Sequence, residues 1–109
     1  MAASNVPHVI RLRAPWDRAQ VGEARQTTYS RRFGRPTGRH DVQRIDLVVD
    51  PVEATGRVTL NGRLLGEISP GSTCCRFDVT RELLPRNDVA IELDSLEVRL
   101  GDVRLEIFS

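Results

Sequence analysis

Apolar and polar residues alternate with a period of two along most of this chain, and that pattern constrains the fold more than any other feature. Ile10 and Leu12 alternate with Arg11 and Arg13, and Ile45, Leu47 and Val49 with Arg44 and Asp46. Val58 and Leu60 flank Thr59, while Cys75, Phe77 and Val79 flank Arg76 and Asp78. Val89, Ile91 and Leu93 are separated by Ala90 and Glu92. Leu96, Val98 and Leu100 follow, then Val103, Leu105 and Ile107 around Arg104 and Glu106. Successive side chains of a strand point to opposite faces, so each segment presents one apolar and one polar side. Antiparallel sheets with one wet face have this signature, whereas buried parallel strands read as continuous apolar runs.

The punctuation between the segments agrees. Asn61-Gly62 suits a two-residue type I′ hairpin turn, because both central residues need positive φ. Asp50-Pro51, Ser69-Pro70-Gly71 and Gly101-Asp102 mark further turns. Only "DVTRELLP" reads as helical, a single turn capped by Asp78 or Thr80 and stopped at Pro85. Ala14 to Gln26 has weak periodicity and is expected to be a long loop, with a second loop from Gly34 to Asp41. Repeats and low-complexity tracts are absent from the sequence. The expectation is an all-β, single antiparallel β-sandwich over residues 1–109 with one short helical turn.

A chain of 109 residues is one domain, able to bury roughly 60–68% of the surface its unfolded form exposes. With aromatic residues at 5%, Leu, Val and Ile must fill the core. A net charge of +1 argues against a general nucleic-acid binder. Residues 1–50 nevertheless carry nine Arg against five acids, and residues 51–109 seven Arg against ten. Every basic residue is Arg, which GC-rich coding explains without a functional demand. The N-terminus has no signal-peptide h-region, and no run approaches the roughly eighteen apolar residues of a membrane span. The expectation is a cytoplasmic protein. Cys74 and Cys75 are adjacent and too few for a structural zinc site, so they read as free thiols, one buried and one exposed. No cofactor or metal is expected.

Two stretches resemble a known family. "RVTLNGRLLGEI" followed by "FDVTRELLPRNDVAIEL" is similar to the sugar-binding domain of glycoside hydrolase family 2, a galactose-binding-like jelly roll. The likeness is carried by Val58, Leu60, Asn61, Gly62, Gly66, Phe77, Asp78, Val79, Thr80, Leu84, Asn87, Val89 and Ile91. Upstream, Tyr29, Arg31, Phe33 and Pro36 in "TTYSRRFGRP" match an aromatic-Arg-x-Phe-x-x-Pro strand, and Trp16 stands where the family often has an early Trp. The family's usual Gly before Asn87 is replaced by Pro85-Arg86, so Asn87 itself is expected to adopt the left-handed conformation. These hydrolases carry their catalytic carboxylates in a separate TIM barrel of about 250 residues, which this chain cannot contain. The resemblance implies a module detached from its enzyme.

The residues themselves agree that the chain is not an enzyme. A glycosidase needs two carboxylates about 5–9.5 Å apart, whereas Asp46, Glu92, Glu97 and Glu106 alternate outward and read as solvated faces. His8 lies in the first strand and His40 in a loop, and no Ser-His-Asp or Cys-His spacing accompanies them. Two candidates for binding remain. Trp16 either offers a stacking surface for a sugar ring or caps one end of the core. Arg25 to Arg39 holds five Arg without one acid, and His40 follows directly. In such a run Arg31 and Arg32 must face opposite sides of the strand, the core-side one at the rim and paired with a carboxylate. The candidate ligand residues are therefore Trp16, Arg35, Arg39 and His40, brought together if the two loops share one end. They would serve either an acidic protein surface, with the domain as an interaction module or scaffold, or a carbohydrate.

Overall fold

In a computed structural model that describes residues 6–38, 41–71 and 73–109, the chain forms nine strands. They are β1 (His8–Arg11), β2 (Asp17–Val21), β3 (Gln26–Gly34), β4 (Arg44–Val49), β5 (Gly56–Leu60), β6 (Arg63–Ile68), β7 (Cys75–Asp78), β8 (Arg86–Leu93) and β9 (Val103–Phe108). One sheet has the order β1-β9-β4-β7 and the other β2-β3-β8-β5-β6. Every pairing is antiparallel. Only β2–β3 and β5–β6 are hairpins, and the remaining connections cross from one sheet to the other. The sandwich expected from the alternation is the fold.

Cross-strand rungs explain why the alternation produces this core. Leu47 lies between Leu105 and Phe77, and Ile91 between Tyr29 and Val58, so the rungs of both sheets turn apolar side chains inward. Leu47, Val58, Val89, Ile91 and Leu93 have no solvent exposure. Partly buried Ile10, Trp16, Phe33, Cys75 and Phe77 close the margins of the cluster. Cys74 is exposed and Cys75 half-buried, and both are free thiols.

The Asn61-Gly62 turn is as expected, with φ of 53° and 80°, the two positive values a type I′ hairpin needs. Its Asn does more than turn the chain. The Asn61 amide nitrogen donates to the Asp88 carbonyl, and its side-chain oxygen accepts from the Asp88 N–H. The hairpin is thereby tied to β8.

Four expectations are corrected. Ala14–Gln26 is not all loop: it contains β2, whose five residues are all exposed and so carry no apolar alternation. Leu96, Val98 and Leu100 are half-buried, but the segment is irregular, held by the Ser95 and Leu96 carbonyls, which accept from the side chains of Thr27 and Gln20. "DVTRELLP" forms a hydrogen-bonded turn and no helix. Asp78 caps it, accepting from the Thr80 N–H and hydroxyl, and the Glu82 N–H donates to the Val79 carbonyl. A single hydrogen bond does not repay helix nucleation when Pro85 prevents extension. Finally, Asn87 is not left-handed: among the described non-glycine residues only Arg25 and Asn61 have positive φ. Asn87 is 1% exposed at the start of β8 and works through its side chain. Its oxygen accepts from the Leu84 N–H and from Asn61, while its nitrogen donates to the carbonyls of Leu84 and Phe33.

Candidate functional site

The paired ends of β3 and β8 carry the main candidate. Arg32 lies opposite Asp88 and Gly34 opposite Arg86. As strand geometry requires, Arg31 and Arg32 part company. Arg32 turns outward and pairs with Asp88 at 3.1 Å. Arg31, half-buried at the rim, donates to the carbonyls of Arg13 and Arg32. The expected carboxylate therefore belongs to the outward arginine and not to the rim one, because the rim is lined by backbone carbonyls.

Two grooves open on either side of the Arg32–Asp88 pair. One, of about 580 Å³, is bounded by Phe33, Gly34, Pro85, Arg86 and Asn87. The other, of about 550 Å³, is bounded by Pro15, Asp17, Ser30 and Arg31. Both are partly open to solvent. Arg35 lies just past β3, exposed, its N–H donating to the Pro85 carbonyl. Among the described residues neither Arg35 nor Arg86 has a side-chain partner.

The sequence candidates are only partly brought together. Trp16 is half-buried against the core, and its indole N–H donates to the Leu12 carbonyl at 3.1 Å. Neither Trp16 nor Arg35 lines the two grooves. Arg39 and His40 lie outside the described residues. Arg86 and Asp88 were not candidates from sequence, since their placement beside Arg32 depends on the β3–β8 register.

Among the described residues, eight of the fifteen carboxylates pair with arginines. On the outer face of the four-stranded sheet, Arg76 reaches Asp46 at 3.3 Å and Glu106 at 2.8 Å. Arg104 reaches Glu106, Asp50 and Asp102 at 2.9–3.0 Å. Asp46 and Glu106 point outward as expected, yet they are only 4% and 6% exposed. Arginine stems cover that face, burying Val48 fully outside the core cluster. Their expected solvation is thus corrected. Burial disfavours the charged form of Glu106, but hydrogen bonds from Arg76 and Arg104 outweigh it and hold the carboxyl below its usual range. Arg57, Thr55 and Gln26 lower Asp94 by hydrogen bonding, and the Thr80 hydroxyl and N–H lower Asp78. General acid catalysis needs a carboxyl held protonated, and these three are driven the other way. Among the described residues no His, Cys, Asp and Glu cluster could hold a metal.

The fold is a β-sandwich that recurs as part of solved glycosidase structures. Three solved structures illustrate it. A β-D-glucuronidase from Dictyoglomus thermophilum superposes with a TM-score of 0.78 at 12% identity, over 98% of this chain and 29% of that one. An FMN-binding β-glucuronidase from Faecalibacterium prausnitzii L2-6 gives 0.76 at 16% identity, over 95% and 23%. A β-D-mannosidase from Dictyoglomus thermophilum gives 0.69 at 14% identity, over 82% and 16%. The chain thus spans less than a third of the length of each. No family model matches the chain, and no curated protein matches it.

Proposed function

We propose that this chain is a non-catalytic β-sandwich interaction module that engages an acidic protein surface through the arginine-rich end of its β3–β8 pair. The observation that carries the reading is the set of guanidinium groups there. Arg35 and Arg86 have no partner among the described residues, and Arg32 holds Asp88 in an ion pair whose side chains are 90% and 70% exposed. Such pairs exchange partners at little cost. The pairing of carboxylates with arginines, and the lowering of Asp78, Asp94 and Glu106, support a role without catalysis. Carbohydrate binding through the end loops draws less support, because the Trp16 indole is half-buried and its N–H is engaged.

Titration with an oligoglutamate peptide tests the reading. Binding is expected at low ionic strength, weakening on the order of tenfold as salt shortens the Debye length to about 8 Å. The double variant Arg35→Glu/Arg86→Glu should lose it. Equal binding by the variant, or none by the parent chain, would overturn the proposal.

A further inference from the structure

On the opposite face of the β2–β3 hairpin from Asp17 and Ser30 lies a cleft of about 320 Å³, bounded by Arg18, Tyr29, Arg99 and Leu100. Arg18 and Tyr29 are cross-strand partners on the side of β2–β3 that faces the core. Arg99 arrives from the irregular segment between β8 and β9. That segment is pinned to the hairpin at 2.7 Å by the Thr27 hydroxyl donating to the Ser95 carbonyl, and at 2.8 Å by the Gln20 amide donating to the Leu96 carbonyl. Two arginines distant in sequence are therefore brought to one cleft by the fold.

The polar groups that meet there are donors without acceptors. Among the described residues neither Arg18 nor Arg99 has an ion pair or a side-chain hydrogen bond, even with the neighbouring acids Asp17 and Glu97. This sets them apart from Arg57, Arg76 and Arg104, each of which holds two or more carboxylates. Tyr29 is 8% exposed, and its hydroxyl has no hydrogen-bond partner among the described residues. Every fully buried side-chain nitrogen or oxygen among them has one, so the hydroxyl keeps some contact with solvent, and Tyr29 borders the cleft. A buried tyrosine ordinarily satisfies its O–H. Leu100 supplies an apolar wall.

We infer that this cleft binds a small oxyanion, a carboxylate or phosphate group, held by the guanidiniums of Arg18 and Arg99 and by the Tyr29 O–H. Guanidinium donates without accepting, so its natural complement is an acceptor-only, negatively charged group. The site uses other arginines than the grooves at the β3–β8 end.

Titration of the intact chain with sodium phosphate and with sodium acetate, followed by the arginine Nε and backbone amide resonances, tests the inference against sodium chloride at matched ionic strength. Saturable shifts at Arg18 and Arg99 are expected with one or both oxyanions and not with chloride; which anion saturates first separates phosphate from carboxylate. Arg18→Gln and Arg99→Gln should each weaken binding roughly tenfold. Tyr29→Phe, which keeps the buried ring, should weaken it about fivefold at unchanged melting temperature. Arg35→Gln should leave it unaltered, so a failure here is distinct from a failure of the acidic-partner reading. Shifts that follow chloride equally, that never saturate, or that persist in Arg18→Gln/Arg99→Gln would overturn the site.

Discussion

Asn87→Ala is expected to destabilise the fold by about 2–4 kcal/mol, a large share of the stability of a domain this size. The side chain is 1% exposed and makes four hydrogen bonds, two of them to the backbone of Leu84. Removing it leaves the Leu84 N–H and the Asn61 side-chain amide short of partners. It also loosens the link between the 79–84 turn, the β5–β6 hairpin and the end of β3. Urea unfolding should show a lower midpoint at an unchanged slope. A loss below about 0.5 kcal/mol, the scale of an ordinary surface substitution, would mean that water replaces these bonds and that Asn87 does not organise this corner. Because the corner adjoins Arg86 and Phe33, the variant should also weaken binding of an acidic peptide.

Gly56→Ala is expected to cost about 1–3 kcal/mol through overpacking. A Cβ there would stand 2.3 Å from the Glu92 carbonyl oxygen and 3.0 Å from Leu93 Cδ2. The first obstacle is backbone of the paired strand, so β5 and β8 must separate to admit the methyl group. Gly66 offers the contrast: its Cβ would meet Phe77 Cε1 at 2.6 Å, and Phe77 is a half-buried side chain that can rotate. Thermal denaturation of the two variants should therefore place Gly56→Ala below Gly66→Ala. The reverse order would show that the β5–β8 ladder yields more readily than the Phe77 ring.

How far the sequence spoke depends on what each residue's signal encodes. Asn61-Gly62 was legible because a type I′ turn has few other solutions, and the apolar rungs were legible because burial on one face imposes period two. β2 was silent because Asp17–Val21 lies at a sheet edge with every residue exposed. Leu96 to Leu100 misled in the other direction: alternate apolar side chains pack down, but the segment bonds to side chains of β2 and β3 in place of a strand partner. For Asp46 and Glu106 the pattern predicted direction and could not predict depth, which comes from arginines on neighbouring strands. Arg31 and Arg32 were correctly separated by strand geometry alone. Arg86 is remote from both in sequence, and only the register of β3 on β8 puts it beside them. The Arg18–Arg99 cleft depends on a crossing segment that no local pattern announces.

As the interaction module proposed above, this sandwich should not recognise sugars through its end loops. An array of neutral saccharides tests it most directly, since neutral ligands leave both the arginine-rich grooves and the oxyanion cleft out of the measurement. No signal above background is expected. Binding of a neutral saccharide that Trp16→Ala abolishes, with the fold intact by circular dichroism, would contradict it and make the half-buried indole a sugar platform.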